Sequence, residues 1–161
     1  MLFASLHSRS SPGPENWNSN AVAVLPRRVG EGAAELYRYS VRVRSTNPNQ
    51  SYQHLMVGWA PRSLPLDSQQ YNKVGFYAYA NNGNVTYYNQ PGATIAQPPP
   101  AYQGQLPQGG IILCEYDRAR GTIGFGWAGK AVAVSYTGVP REPQLLPAFH
   151  FLCVGDCVEL V

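Results

Sequence analysis

The sequence predicts an all-β fold, a two-sheet antiparallel β-sandwich related to the jelly roll. About nine or ten short stretches rich in apolar and aromatic residues recur along the chain, with turn signals every eight to twelve residues. The 161 residues include 16 Gly, 14 Pro and 11 Tyr, but only 13% are charged. No stretch shows the 3.6-residue apolar period of an amphipathic helix. These observations exclude a coiled coil or helical bundle and fit a single domain.

The first predicted strands lie in the N-terminal half of the chain. Residues 21–25 form a short apolar candidate, and residues 54–60 form another after the turn-rich segment 45–53. Between them, apolar and polar residues alternate over 36–44, the pattern of a half-buried strand with a basic outer face. Its expected inward side chains are Tyr37, Tyr39, Val41 and Val43, and its expected outward ones are Arg38, Ser40, Arg42 and Arg44.

The remaining strands follow two loop signals. Asn81-Asn82-Gly83 predicts a tight hairpin turn between strands at 74–80 and 84–88, because Asn and Gly tolerate positive φ. The uncharged segment 90–108, rich in Pro, Gly and Gln, predicts a long surface loop. The strands expected after it cover residues 110–116, 122–127, 131–136, 148–154 and 157–161, with a turn at 117–121.

Charge and hydropathy limit the function classes. A net charge of +3 and a pI near 8.8 are too small to indicate nucleic-acid binding from bulk electrostatics. No apolar run reaches the roughly 18 residues of a membrane span. We therefore expect one intracellular domain over 1–161 without a membrane partner, with 1–16 as an N-terminal segment that can be flexible. A cytoplasmic location is expected; Arg9 and the serines around it leave a mitochondrial location as the alternative.

The three cysteines do not form a secreted disulfide framework, because their number is odd. Reduced thiols are expected. A three-residue turn between Cys153 and Cys157 leaves a hairpin disulfide as an alternative. His150 and Cys114 would complete a set of zinc-ligand type, but paired C-x-x-C knuckles are missing and no metal or cofactor is predicted.

Several short patterns occur in order between about residue 30 and the C-terminus, and they resemble the SPRY (B30.2) family. An apolar strand ends in Asp117, a short turn leads to Gly121, and an I-x-F strand follows. Ala128 departs from the family pattern, which has an Asn-Gly turn here. The matching stretches are 37–43 (YRYSVRV), 57–60 (VGWA), 110–117 (GIILCEYD), 121–125 (GTIGF), 146–149 (LPAF) and 158–160 (VEL).

The resemblance implies a bent β-sandwich that binds short peptides or partner proteins through loops at one end, without catalysis. The candidate binding loops are 45–53, 60–73, 89–108 and 137–145. Aromatic and Arg side chains on such loops give large contact areas. The candidate partner-binding residues are Tyr52, Arg62, Tyr71, Tyr102 and Trp127. Trp127 shares a strand face with Phe125, which leaves a core role as its alternative.

A linear motif stands apart from the fold. The P-P-x-Y pattern that begins at Pro99 and ends at Tyr102 is the type that WW domains recognise, because prolines preset a polyproline II helix. A WW-domain protein is therefore a candidate partner. In the alternative interpretation, prolines stiffen the loop and Tyr102 packs back on the sandwich.

Two other function classes remain as alternatives. Glu115 and Asp117 point to the same side of one strand, like the carboxylate pair of a jelly-roll glycan hydrolase, but Arg118, Ala119 and Arg120 stand where such an enzyme has a further Glu shortly after the Asp. We expect Asp117 to cap the turn, Glu115 to be solvated, and the protein not to be an enzyme. An RNA-binding or glycan-binding sandwich would use the basic face of Arg38, Arg42 and Arg44, whose spacing approaches that of phosphates along a nucleic-acid strand.

Overall fold

The computed structural model describes residues 3–5, 21–24, 35–45, 55–63, 75–80, 93–96, 109–151 and 156–161. The strands of this part of the chain are β1 (Phe3–Ser5), β2 (Ala21–Val24), β3 (Leu36–Ser45), β4 (Leu55–Pro61), β5 (Tyr77–Ala80), β6 (Thr94–Ile95), β7 (Ile111–Asp117), β8 (Thr122–Trp127), β9 (Ala133–Thr137), β10 (Leu145–Phe151) and β11 (Asp156–Leu160). They form two antiparallel sheets, which confirms the predicted β-sandwich. Within the described residues, no helix is long and apolar enough to cross a membrane.

The large sheet has seven strands in the order β1-β11-β3-β7-β8-β9-β6. Its central strands alternate buried and solvent-facing side chains, because one face covers the core and the other is open. In β3, all four predicted inward side chains are buried, with Val41 at 0% exposure. In β7, Ile112, Cys114 and Tyr116 are buried and the residues between them are half-buried.

The small sheet has four strands in the order β2-β10-β4-β5. Every residue of β4, β5 and β10 is buried, so these three strands are covered on both faces. Its inner face packs against the large sheet. A second apolar cluster, made mostly of small side chains, comprises Met56, Ala60, Phe76, Ala78, Ala80 and Ala148.

Aromatic side chains fill the space between the sheets. The Tyr39 ring on β3 meets Trp59 on β4 edge-on at 4.9 Å between centroids, and its hydroxyl donates a hydrogen bond to the Gly58 carbonyl at 2.5 Å. The Tyr79 ring of β5 stacks with Phe125 of β8 at 5.4 Å. Such pairs add to the free energy gained from apolar burial and fix how the two sheets align.

Three strands begin two or more residues away from their predicted starts. β10 begins three residues earlier than expected, because Leu145 pairs with Pro61 on β4. β5 begins at Tyr77 rather than residue 74, and β9 begins at Ala133 rather than residue 131. The sequence did not predict β1 or β6. The three residues of β1 lie within the N-terminal segment 1–16 and pair with β11.

Some predicted features lie outside the described residues. They are the 81–83 turn with its 84–88 strand, the P-P-x-Y motif, Cys153, and the candidate contacts Tyr52, Tyr71 and Tyr102.

Candidate interaction surface

Several connections meet at one end of the sandwich, which we name the Arg118 end. It comprises Glu35 before β3, the turn 61–63 after β4, the turn 117–121 between β7 and β8, and the loop 138–144 between β9 and β10. Loop 138–144 leads directly into Leu145, which pairs with Pro61, so the β4 turn belongs to the same end. The opposite end of the large sheet, where β8 finishes, is the Trp127 end.

The turn 117–121 and the loop 138–144 are joined by backbone contacts. The Asp117 carboxylate accepts a hydrogen bond from the Arg120 N–H at 2.9 Å, which confirms that Asp117 caps this turn. The Val139 N–H donates to the Gly121 carbonyl at 2.9 Å, and Val139 is buried. Gly121 has φ +63°, and a Cβ there would lie 2.8 Å from the Val139 carbonyl. Glycine is therefore required for this close approach.

Ion pairs hold the same two segments together. The Arg118 guanidinium bonds the Glu142 carboxylate at 2.5 Å, donates to the Arg141 carbonyl at 3.1 Å, and lies 3.6 Å from the Glu35 carboxylate. Arg141 also pairs with Glu35. Since the Arg118 side chain is only 19% exposed, it acts as the centre of a charged network that fixes the loop.

The surface that this network presents is mostly guanidinium. The Arg120 and Arg141 side chains are 82% and 60% exposed, whereas their partners Asp117 and Glu35 are 18% and 33% exposed. Glu142 is the exposed carboxylate of the group. Loop 137–145 is one of the predicted binding loops, but the sequence does not single out Arg118, Arg141 or Glu142, because their ion pairs join positions far apart in the chain.

The structure places the two described candidate contacts at different ends. Arg62 is exposed in the turn after β4, at the Arg118 end. Trp127 closes β8 at the other end, where it is partly buried, packs against the core and donates its indole N–H to the Tyr79 hydroxyl at 3.0 Å. Along β8 roughly 17 Å separates Trp127 from the Arg118 end. Arg62 and Trp127 therefore do not contribute to one continuous surface.

The outward arginines of β3 are paired across strands, and we name Arg38, Arg42 and Arg44 the arginine row. The Arg38 Nε lies 2.7 Å from the Glu115 carboxylate on β7. Arg42 and Arg44 both bond Oε2 of Glu159 on β11, at 3.2 and 2.8 Å. Burial acts to raise the pKa of Glu159, but the two guanidiniums hold it below its usual value. The row therefore carries less net positive charge than the sequence indicates.

The two carboxylates considered for catalysis each bind a guanidinium. Glu115 and Asp117 do point to the same side of β7, as predicted. Glu115 pairs with Arg38, so the expectation that it is simply solvated was wrong. Asp117 caps its turn and lies 3.6 Å from Arg120 Nε. Both side chains therefore have structural partners.

The described cysteines are separate thiols. Cys114 lies in the core, where burial raises its pKa to about 12. Cys157 is a free thiol on the outer face of β11, and burial raises its pKa as well. These two residues are on opposite faces of the large sheet and do not share a ligand set. Among the described residues, no three His, Cys, Asp or Glu side chains form a group that could hold a metal ion.

Comparison with known proteins gives one family and several related structures. The SPRY domain of human HERC1 is 18% identical, with 88% of this chain and 80% of that chain covered and a TM-score of 0.59. Another human SPRY domain is 19% identical over 98% and 89% of the chains, with a TM-score of 0.67. The TRIM65 PSpry domain is 16% identical over 97% and 78%, with a TM-score of 0.55. No curated protein gives a significant match.

The family model agrees with the fold and with the resemblance seen in the sequence. It is the model of the SPRY domain, and it matches residues 36–161, from β3 to the last residue. The solved SPRY structures share the two-sheet architecture described above. Because the matched region is well over half of its length, this chain belongs to the SPRY family.

Proposed function

We propose that the chain is a noncatalytic module that binds a partner protein or peptide through the Arg118 end. SPRY domains generally act as protein-interaction modules without catalysis, which supports the class of function. The observation that carries the choice of surface is the fixed turn and loop at this end. Two carboxylates and a carbonyl hold Arg118, and these contacts keep the turn and the loop in one arrangement. The guanidiniums of Arg120 and Arg141 face solvent beside them.

A fixed surface of this kind favours recognition for a physical reason. Binding orders side chains and loops, and less free energy is lost when the loops are already ordered in the free protein. Guanidinium groups bind carboxylates and carbonyls in defined directions and stack on aromatic rings. Arg120 and Arg141 are therefore the residues that we expect to contact the partner, with Arg62 on the neighbouring turn.

Affinity capture from native lysate with quantitative mass spectrometry tests this proposal. The wild-type chain is compared with Arg120→Gln and Arg141→Gln, which remove charge at the Arg118 end, and with Lys130→Gln, which removes one exposed charge at the Trp127 end. We expect a partner that both arginine variants lose and the lysine variant retains. Equal recovery by all variants, or loss in Lys130→Gln alone, would contradict the assignment to the Arg118 end.

The WW-domain interaction remains a separate prediction. A Tyr102→Ala variant should lose binding to a purified WW domain if the P-P-x-Y motif is a ligand, and capture through the Arg118 end should be unchanged. Binding of the variant with wild-type affinity would contradict the motif's role.

A further inference from the structure

The outer face of the large sheet contains a groove that the end loops do not form. On this face β8 carries Gly124 beside Glu115 of β7 and Gly126 beside Leu113, so it has no side chains at these two positions. Val132 leans into that space: a Cβ on Gly124 would lie 2.6 Å from Val132 Cγ1. The groove between Val132 and β3, which we name the Val132 groove, measures about 430 Å³. Its outward-facing lining residues are Arg38, Ser40, Leu113, Glu115 and Val132.

The lining combines apolar and polar groups in the way that ligand sites do. Leu113 and Val132 supply apolar surface, and Ser40 supplies a hydroxyl. Arg38 stands on the rim with its side chain 68% exposed, and it pairs through Nε with the less exposed Glu115. A guanidinium has five N–H donors, so Arg38 can bind a second carboxylate from solvent without releasing Glu115.

The other two arginines of the arginine row, Arg42 and Arg44, extend the carboxylate-binding surface along β3. The Arg42 and Arg44 side chains are 34% and 56% exposed, whereas the Glu159 carboxylate that they share is fully covered. Three guanidiniums therefore face solvent above two carboxylates, which leaves one net positive charge on the face. Residues two apart on a strand lie about 7 Å apart, which is also the spacing of same-side residues in an extended peptide.

We propose that the Val132 groove and the arginine row together form a second binding surface, for an extended acidic peptide segment that places an apolar side chain against Leu113 and Val132. This surface lies on the sheet face and is independent of the Arg118 end. One observation favours a peptide over single-stranded RNA. Glu115 and Glu159 compensate two of the three guanidiniums, and the one net positive charge that is left is too little for a phosphate backbone, which carries a charge at every nucleotide.

Fluorescence anisotropy and NMR titration of the full 161-residue chain test the proposal. The probes are a fluorescein-labelled nine-residue peptide that carries Leu and Asp at alternate positions, on one side of the extended chain, with Gly between them (GLGDGDGDG), its counterpart with Asn for Asp, and a labelled oligouridine of the same length. We expect the acidic peptide to bind, and to shift the amide signals of Ser40, Leu113 and Val132. The Asn peptide should bind at least about tenfold more weakly, because it offers no charge-assisted hydrogen bond.

Variants separate this surface from the Arg118 end. Arg38→Gln should weaken the peptide about tenfold, and Val132→Asp should remove binding; Lys130→Gln, a matched charge loss outside the groove, should stay within about twofold. If Val132→Asp does not fold, the Arg38→Gln variant decides whether the groove binds the peptide, because Arg38 is exposed and its exchange should leave the fold intact. Weaker binding in Arg120→Gln but not in Arg38→Gln would overturn the proposal and assign the acidic peptide to the Arg118 end. Tighter binding of oligouridine than of the peptide, or no binding of either probe, would also overturn it.

Discussion

The two sheets of this sandwich differ in what their outer faces can do. In the small sheet, the side chains of β4, β5 and β10 are buried on both faces, and the face turned away from the large sheet carries mostly small residues. The large sheet buries one face only, and its other face carries charged side chains paired across strands. Recognition chemistry is therefore available on the large sheet and at the ends of the sandwich, while the outer face of the small sheet is structural.

This difference predicts opposite responses to substitution. A side chain added to the small sheet has no space to enter, because close packing surrounds it on every side. A side chain exchanged on the outer face of the large sheet meets solvent and partners that can move. Four substitutions, two of them paired with a control substitution, test this difference, beginning with the largest expected loss of stability.

Gly58→Ala should destabilise the protein most. A Cβ on Gly58 would lie 1.9 Å from the Tyr77 carbonyl of the neighbouring strand, so β4 and β5 would have to separate. Overpacking against backbone in a buried sheet should lower the free energy of unfolding by more than about 4 kcal/mol. Urea denaturation followed by circular dichroism measures this loss.

The matched control for Gly58 is a glycine of the large sheet. In Gly126→Ala the new Cβ would meet the Ala131 carbonyl at 3.0 Å, a contact that a small shift of the 131–132 segment can relieve. We expect a loss of about 1 kcal/mol. If the two variants lost similar stability, the distinction between the sheets would be wrong.

Tyr136→Phe tests the join between the sheets. The Tyr136 hydroxyl on β9 accepts a hydrogen bond from the Ala78 N–H at 3.1 Å and donates to the Ala78 carbonyl at 2.9 Å. Ala78 lies on β5, the last strand of the small sheet among the described residues, and this hydroxyl satisfies both backbone groups of Ala78. Losing it should lower the free energy of unfolding by about 2 kcal/mol.

Hydrogen exchange at the Ala78 amide measures the same loss locally, and exchange should become faster in Tyr136→Phe. Tyr116→Phe is the control, because the Tyr116 hydroxyl has only a long bond of 3.5 Å to the Pro140 carbonyl. Unchanged protection of the Ala78 amide in Tyr136→Phe would show that another group accepts its hydrogen bond.

The sequence predicted the fold where the pattern is local. Alternation placed the inward side chains of β3 correctly, and β8 has the predicted bounds because Ile123 and Phe125 sit between clear turn signals. It missed β6, whose two residues form a strand only through pairing with β9. It misplaced the start of β10, because the pairing of Leu145 with Pro61 depends on a residue 84 positions away.

The candidate surfaces were harder to predict for the same reason. The basic face of β3 is evident from alternation, but the Glu159 carboxylate that compensates Arg42 and Arg44 lies more than a hundred positions along the chain. The Val132 groove depends on where Val132 crosses Gly124, which no local pattern encodes. The turn cap by Asp117, like the basic face of β3, was local enough to predict.

Glu159→Gln should give the next smaller loss of stability, and this loss should depend on pH. Because the pKa of Glu159 is lowered in the folded protein, its pairing with Arg42 and Arg44 stabilises the fold fully above the ordinary glutamate pKa. That contribution disappears as the pH falls through the lowered value. The wild-type protein should therefore exceed the variant in stability at pH 7, by less than the Tyr136→Phe loss, and the two should converge under acid. A difference that is the same at pH 7 and pH 3 would contradict this role.

Arg38→Gln should have the smallest effect on stability, because its ion pair with Glu115 lies at the exposed rim of the groove. Exposed pairs contribute about 0.2 to 1 kcal/mol to folding, and salt weakens them. Thermal unfolding of the variant and of the wild-type protein should give nearly equal midpoints at 0.5 M salt. A large loss would show that Arg38 is held as firmly as Arg118, and that the outer face of the large sheet is structural too. Near-equality, together with weaker binding of the acidic peptide, would separate recognition from folding at a single residue.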